Sequence, residues 1–206
     1  MHRNNIKLSA PKTLIAPISA VILGWLWQQG TLTATPHRIS TLATCVQPKT
    51  VKGLRSFLGA YKFLSRILPQ ISSVLAPLEE VIAGKSSSEK LVWTSELDSH
   101  FASAKKYLTN AKTVTIPKAE DKLWIVTDGA QKLPGIGAAM FITRGAKRHL
   151  AGHYSTKLHK RQLGWVPCEI EALAITAAVS HYSPYIVQSK IQSCVLTDSK
   201  PCVDAL

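Results

Sequence analysis

The sequence predicts an α/β (α+β) protein, in which a small helical region precedes a mixed sheet with helices. Three observations predict it. Apolar residues recur at helical spacing between residues 50 and 108. Four short apolar segments typical of strands follow, at 123–127, 135–143, 149–155 and 193–197. A helical segment that opens at Pro167 separates the third strand from the fourth, and such a connection favours parallel pairing of the last strand.

Composition and charge narrow the function classes. The chain has 206 residues and is 46% hydrophobic, which excludes disorder as its main state. Its formal net charge is +13, and residues 1–70 hold nine Lys and Arg but no Asp or Glu. A basic segment of this kind indicates a polyanionic partner, either nucleic acid or an anionic membrane, although a basic surface can also serve solubility alone.

Cysteine spacing and hydropathy indicate the cellular location of the protein. The four cysteines, at 45, 168, 194 and 202, form no CxxC pair, so the common zinc and thioredoxin motifs are absent and reduced thiols are expected. The apolar run 14–27 is interrupted by Pro, Ser and Gly and is too short to span a membrane. It also lacks a small-residue cleavage site after it. We therefore expect no signal peptide, no transmembrane segment and an intracellular location, in the cytoplasm or nucleus.

The first elements are predicted to be two buried strands. Residues 21–27 are rich in β-branched and aromatic side chains, residues 28–30 can turn, and residues 31–35 can return. Residues 36–48 are expected to be a short connection with at most one helical turn.

A cationic helix follows. Thr50 is a candidate N-cap, an apolar stripe runs from Val51 to Leu68, and Pro69 ends the helix. At 100° per residue, four cations fall in a narrow arc beside the stripe, where they could contact phosphates: Lys52, Arg55, Lys62 and Arg66.

The remaining helices lead to the main boundary. Residues 71–82 predict a shorter helix containing Pro77, and Thr94 is a candidate N-cap for the next. The charged turn at 118–122 separates this part from the strand-rich part. The predicted domains are 1–35 (a hairpin), 36–118 (helices) and 119–206 (the mixed sheet).

Acidic residues recur at corresponding places in the second half. Two predicted strands end in Thr-Asp, at Asp128 and Asp198, and the intervening helix carries Glu169 and Glu171 in its first turns. Taken singly, such residues usually form turns or caps, or favour the helix dipole. If both strands are parallel neighbours, three carboxylates would meet at one sheet edge. Their repulsion would be relieved by hard cations such as Mg²⁺ or Mn²⁺, and two such ions can hydrolyse a phosphodiester.

Several segments together resemble the C-terminal reverse transcriptase and ribonuclease H region of an LTR retrotransposon polyprotein. Residues 22–25 with Gly30 resemble the primer-grip hairpin at the end of the palm, and residues 51–68, with the RSFLG core, resemble the thumb helix. The connection is represented by residues 76–78, 93–94 and 101–108. The acidic blocks of the ribonuclease H domain correspond to residues 123–128, 171–175 and 196–201.

This resemblance implies that Asp128, Glu171 and Asp198 bind two Mg²⁺ or Mn²⁺ ions and catalyse cleavage. Glu171 matches the family's Glu, and Glu169 is the alternative. The implied partner is an RNA–DNA hybrid or another nucleic acid, with Trp25 of the hairpin and the four cations of the thumb-like helix in contact with it. No membrane partner is expected.

The chain also departs from the family pattern. The polymerase block, two adjacent Asp after a Tyr, is absent, so DNA synthesis by this chain alone is not expected. The family's fourth acidic residue is missing, and Asp204 is too close to Asp198 to replace it. The mixed sheet is expected to be incomplete, with uncovered apolar surface. Two hypotheses remain: a nuclease fragment, or an inactive nucleic-acid-binding remnant. For either one, the remainder of a polyprotein is a possible partner.

Overall fold

The computed structural model describes residues 9–131 and 134–205, so residues 1–8 of the predicted hairpin region lie outside it. The strands are β1 Ser19–Ile22, β2 Trp25–Gln28, β3 Thr31–Ala34, β4 Val114–Thr115, β5 Lys122–Ala130, β6 Gly135–Arg144, β7 Lys147–Lys157 and β8 Cys194–Leu196. The helices are α1 Pro36–Ala43, α2 Val51–Lys62, α3 Ile71–Val81, α4 Ser95–Tyr107, α5 Pro167–Gln188 and α6 Lys200–Asp204.

The N-terminal sheet differs from the prediction. It has the antiparallel order β1-β2-β3-β4, and the predicted strand 21–27 is in fact a hairpin of β1 and β2. Leu23 and Gly24 both have positive φ, as the mirror-image turns of tight hairpins require, and Gln29 and Gly30 repeat this geometry. The prediction of buried strands is wrong for β1, because Val21 is 64% exposed.

The helical part agrees better with the sequence. The Thr50 hydroxyl accepts a hydrogen bond from Gly53 N, and the Thr94 hydroxyl accepts one from Leu97 N, which confirms both predicted N-caps. Residues 36–43 form two turns of helix where at most one was expected. The predicted helix 51–68 is regular only to Lys62, after which turns lead to α3.

One core joins the first sheet to the helices. Its buried residues run from Leu32 to Val114 along the chain, and its fully enclosed side chains include Tyr61 and Phe101. Two smaller clusters begin at Leu123 and Ile136 and pack the second sheet against α5. The first core thus ends at Val114 and the next begins at Leu123, so the predicted boundary at 118 lies between them.

The second sheet has the predicted mixed topology. Its order is β7-β6-β5-β8, with three antiparallel strands and β8 parallel to β5. Leu123 and Ile125 of β5 face α5, in the cluster that also contains Ala178 and Tyr182. The alternation of the strand places Val126 and Asp128 on the opposite face.

Strand β7 connects the two cores through Arg66. The Arg66 guanidinium donates to the Ala151 carbonyl at 3.3 Å and to the Tyr185 hydroxyl at 2.6 Å, and the Arg66 carbonyl accepts from His153 N at 2.9 Å. Ser72 N also donates to Ser155 Oγ at 3.1 Å. These bonds tie the segment after α2 and the start of α3 to one edge of the second sheet.

Two surface features complete the fold. Apolar side chains of β5 and β8 are exposed, with Val126 at 40% and Leu196 at 44%, in line with the expected uncovered surface of this sheet. Within residues 9–131 and 134–205, the helices are all too short or too polar to cross a membrane.

Candidate active site and nucleic-acid surface

Parallel pairing of β5 and β8 places two of the predicted acids at one end of the sheet. Val126 pairs with Leu196, and each of Asp128 and Asp198 lies two residues beyond that pair. Thr127 Oγ1 donates to the Leu196 carbonyl at 3.3 Å, which holds the two strands together at this point. Asp128 lies inside β5, opposite Gly137 of β6, instead of at the strand end as predicted.

Glu171 reaches the same end of the sheet from α5. Its Oε1 accepts a hydrogen bond from Gly129 N at 3.0 Å, and Glu171 is only 8% exposed. A Cβ on Gly129 would lie 2.8 Å from Ile170 Cγ2 and 3.2 Å from Glu171 Oε1, so glycine is what allows this approach. The sequence signal for this contact was the Gly that follows Asp128, and the sequence reasoning did not use it.

Glu169, the alternative to Glu171, is placed differently. It is exposed, and its Oε2 accepts a hydrogen bond from Val166 N at 3.0 Å, so it caps its own helix. Of the two glutamates, Glu171 is the one directed at β5.

The electrostatics of Glu171 reflect its neighbours. Burial raises the pKa of this carboxyl group, and the charges of Asp198 and Asp128 raise it further. The Gly129 N–H and the Thr197 hydroxyl act against these effects. Glu171 Oε2 is buried and has no hydrogen-bond partner. The site therefore holds a buried carboxylate oxygen without a donor, within the field of two other carboxylates.

The structure does not gather the acids as closely as the sequence suggested. Among the described residues, no group of three or more His, Cys, Asp or Glu side chains is arranged to hold a metal ion. The two side chains lie on different faces of β5. Asp128 projects from the face that points away from α5, whereas Glu171 reaches β5 from the α5 side. The donor set still fits a hard divalent cation, since it consists of carboxylates and includes the unpaired Glu171 Oε2.

Most of the predicted nucleic-acid contacts have intramolecular partners. Arg55 donates to Ser87 Oγ and to the Lys85 carbonyl, and Arg66 is bound to β7 and α5. Lys62 forms a 2.6 Å ion pair with Glu79. Lys52 is exposed. Trp25 packs in the first core, with its ring centroid 4.8 Å from that of Phe63. The four cations therefore do not form one solvent-exposed row, because Arg55, Lys62 and Arg66 are engaged in contacts within the protein.

A cleft between α3 and the end of β7 combines Lys62, one of the predicted phosphate contacts, with basic residues that the sequence analysis missed. This interlobe cleft has a volume of about 560 Å³, and its basic lining residues are Lys62, Lys157, His159 and Lys160. Glu79 lies among them and pairs with Lys157 at 3.0 Å as well as with Lys62. The basic run 157–161 was the available signal.

The mixed sheet, the helix packed on it and the acids carried by β5, α5 and the segment after β8 define an RNase H-like domain. Residues 93–193 match the model of the RNase H-like domain found in reverse transcriptase. The homologues are retroviral and retrotransposon polyproteins that align with most of the chain.

Two relatives illustrate the range. The Gag-Pol polyprotein of baboon endogenous virus is 28% identical over 172 residues, which are 83% of this chain and 10% of that protein. The Tf2-3 transposon polyprotein of Schizosaccharomyces pombe is 24% identical over 179 residues, or 86% of this chain and 13% of that protein. The chain thus spans a small part of the curated relatives that it matches.

Solved structures support the fold. A foamy viral protease-reverse transcriptase in complex with RNA/DNA hybrid superposes with a TM-score of 0.77 at 17% identity, over 92% of this chain and 25% of that one. A foamy viral protease-reverse transcriptase dRH in complex with double-stranded DNA gives the same TM-score and identity, over 91% of this chain and 32% of that one.

Proposed function

We propose that this chain binds an RNA–DNA hybrid and hydrolyses the RNA strand. The observation that carries the proposal is Glu171, a buried carboxylate with an unpaired Oε2 that lies in the field of Asp128 and Asp198. A buried carboxylate whose ionisation is disfavoured by other carboxylates is characteristic of functional sites. The likeness to a reverse transcriptase in complex with RNA/DNA hybrid supports the choice of substrate.

In this proposal, Asp128, Glu171 and Asp198 hold two Mg²⁺ or Mn²⁺ ions. When bound, such ions activate water and stabilise the leaving oxygen of a phosphodiester. The protein positions the ligands: the Gly129 N–H orients Glu171, and the Thr127 hydroxyl fixes the strand that leads to Asp198. Because Glu171 Oε2 has no donor, it is the oxygen free to bind a cation.

Hybrid binding would rest on phosphate contacts. We propose that the interlobe cleft binds the sugar–phosphate backbone through Lys157, His159 and Lys160, with Lys52 as a further contact. Such contacts give affinity without reading sequence, and they weaken as salt rises. Recognition of the hybrid as such would depend on its shape and on the 2′-hydroxyl.

We further propose that the chain works as part of a longer polyprotein, with residues 1–35 ending a palm, 36–118 forming the thumb and connection, and 119–206 the nuclease unit. The proposed location is the cytoplasm or nucleus, which the four free cysteines support.

A second candidate is nucleic-acid binding without cleavage. It is favoured by one observation, that no three acidic, His or Cys side chains of the described residues are gathered around a common point. A loosely organised ligand set gives poor catalysis.

Cleavage of a labelled RNA–DNA hybrid in Mg²⁺ tests the two candidates. The nuclease proposal expects cleavage that Asp128→Asn, Glu171→Gln and Asp198→Asn each abolish, while Glu169→Gln retains it. The Glu169 variant is a matched control, because it removes an acid two residues away on the same helix. Hybrid binding without cleavage at high protein concentration would favour the second candidate and contradict the first.

A further inference from the structure

Two cysteines from distant parts of the chain meet beside the candidate active site. Cys168 is in the first turn of α5 and is exposed, whereas Cys202 is in α6 and is half-buried. The Cys202 thiol donates to the Cys168 carbonyl, with Sγ 3.5 Å from the oxygen, although 34 residues separate the two along the chain. Both residues also line a mostly apolar cavity of about 430 Å³ between α5 and α6.

Their positions tie them to the acidic residues. Cys168 precedes Glu171 by three residues on α5, so both lie on neighbouring parts of one helix surface. Cys202 follows Asp198 by four residues, with the start of α6 between them. A covalent bond between the two sulfurs would therefore join the segments that carry Glu171 and Asp198.

We infer that Cys168 and Cys202 are a redox-active thiol pair that forms a reversible disulfide and fixes α6 on α5. Only its consequence for the acidic site rests on the proposed function, since the bond itself needs neither nucleic acid nor metal. Cys168 is the entry point because reaction with an oxidant requires access, and Cys202 completes the bond because it lies next to it.

The chemistry balances with a small-molecule disulfide as oxidant. The deprotonated Cys168 sulfur attacks one sulfur of that disulfide, forms a mixed disulfide and releases one small thiol. The Cys202 thiol loses its proton and attacks the Cys168 sulfur, which releases the second small thiol. Two protein thiols are oxidised to one disulfide, and the small disulfide is reduced to two thiols.

The remaining cysteines supply matched controls. Cys45 belongs to the first core, where its thiol donates to the Val46 carbonyl at 3.4 Å, and Cys194 is in β8. Neither takes part in the hydrogen bond between Cys202 and Cys168, so each can be replaced by Ser while the pair remains intact.

The test is treatment of the whole folded chain with oxidised glutathione, followed by thiol counting and non-reducing peptide mapping. Wild type and Cys45→Ser should lose two reduced thiols and yield a peptide linked through residues 168 and 202. Cys168→Ser and Cys202→Ser should yield no such link. Cys202→Ser should keep glutathione on Cys168, whereas Cys168→Ser, which lacks the exposed entry thiol, should react more slowly at Cys202. Glutathione adducts on both cysteines of wild type without a link would overturn the inference.

Thermal unfolding gives a second readout. The bond closes a loop of about 34 residues, so the oxidised wild type should melt about 5–10 °C above the reduced chain, and a reducing agent should reverse the shift. An unchanged melting temperature in a chain that carries the link would contradict the fixing of α6. If the reduced chain binds no hybrid, the proposed function is wrong. Peptide mapping and thermal unfolding still test whether Cys168 and Cys202 form a disulfide, because neither measurement needs nucleic acid.

Discussion

At the scale of single residues, Glu171 combines burial with unfavourable charge. Its Oε1 has the Gly129 N–H as a partner, but its Oε2 has none, and both neighbouring aspartates disfavour its ionisation. Such groups are held in place by the surrounding fold and often mark functional sites. The carboxylate therefore lowers the stability of the metal-free protein, and this is the property that a cation would relieve.

Glu171→Gln should stabilise the metal-free protein at neutral pH. Because folding raises the pKa of Glu171, the folded chain binds more protons than the unfolded chain at pH values above the usual 4.5, and the penalty grows as pH rises through that window. The melting temperature measured in a chelator should rise by a few degrees at pH 7, and the gain should fade below pH 4.5. Glu169→Gln, on the exposed side, should change little; equal gains from both variants would refute this account.

Asp121 shows the opposite behaviour. It is 3% exposed and accepts two hydrogen bonds from Arg144, at 2.9 and 2.6 Å, and one from Lys118 N at 2.8 Å. The Arg144 guanidinium holds the pKa of Asp121 below its usual value of 3.8. A residue that the sequence analysis placed in a charged turn is thus buried, and it anchors the segment between the first core and the second sheet.

Asp121→Asn should cost about 2 kcal/mol of unfolding free energy at pH 7, because it removes the buried charge that pairs with the partly exposed Arg144 guanidinium. Since the folded pKa is lowered, the contribution of Asp121 is fully present above pH 3.8 and is lost as pH falls through the folded value. Urea unfolding at pH 7 and pH 3 measures it. The neighbour Glu120, exposed in its pair with Lys190, is the control, and Glu120→Gln should leave the urea midpoint nearly unchanged. A similar loss in both variants would argue against the buried anchor.

At the scale of elements, the contact between α5 and β5 decides where Glu171 lies. Gly129 allows the helix to approach the strand, and Ile170 fills the space that a side chain would take. The buried residues of α5 continue this contact along its length, with Ala174 and Ala178 as small side chains against the sheet. The first turns of the helix are thereby fixed over the end of β5.

Gly129→Ala should move this helix, because the new methyl group would lie 2.8 Å from Ile170 Cγ2. We expect a loss of about 1–3 kcal/mol of stability, together with loss of any hybrid cleavage. Denaturant unfolding and the cleavage assay measure the two effects. The control is Gly137→Ala on the paired strand, where the added atom would lie at an ordinary 3.7 Å from the Tyr154 carbonyl. Stability of the two variants within 0.5 kcal/mol of each other, about the scatter of neutral substitutions, would contradict the prediction.

At the scale of the whole molecule, ion pairs of Glu79 link the helical part of the chain to the second sheet. The Glu79 carboxylate pairs with Lys62 of α2 and Lys157 of β7, and these two lysines hold the pKa of Glu79 below its usual value against the effect of burial. Because the same carboxylate sits among the cations of the interlobe cleft, it partly neutralises the proposed phosphate-binding surface.

Glu79→Gln should therefore tighten hybrid binding at low salt and weaken the fold slightly. Release of Lys62 and Lys157 adds up to two phosphate contacts, so the plot of log affinity against log salt should steepen by about 1–2 units. Binding titrations at several salt concentrations measure the slope. Glu80→Gln is matched in net charge, but Glu80 is 79% exposed and 4.0 Å from Lys157, so its slope should change less. Equal slopes would show that only net charge matters and would argue against the cleft.

The local sequence by itself determined where several helices and strands of this protein lie. Short polar side chains before apolar stripes marked Thr50 and Thr94 as helix caps, Pro167 marked the start of α5, and apolar runs marked β5 to β8. The parallel pairing of β8 and the acids at one sheet end followed from the order of these elements. Signals of this kind reside in a few neighbouring residues, and the chain can be interpreted from them directly.

Tertiary structure alone decided the rest. Packing between distant segments determines three features that the sequence did not reveal. These are the hairpin turn at Leu23 and Gly24, the internal contacts of Arg55, Lys62 and Arg66, and the placement of Asp128 and Glu171 on different faces of β5. A cation or a carboxylate has the same sequence appearance whether it faces water or a partner, because its role is set by what the fold brings within reach.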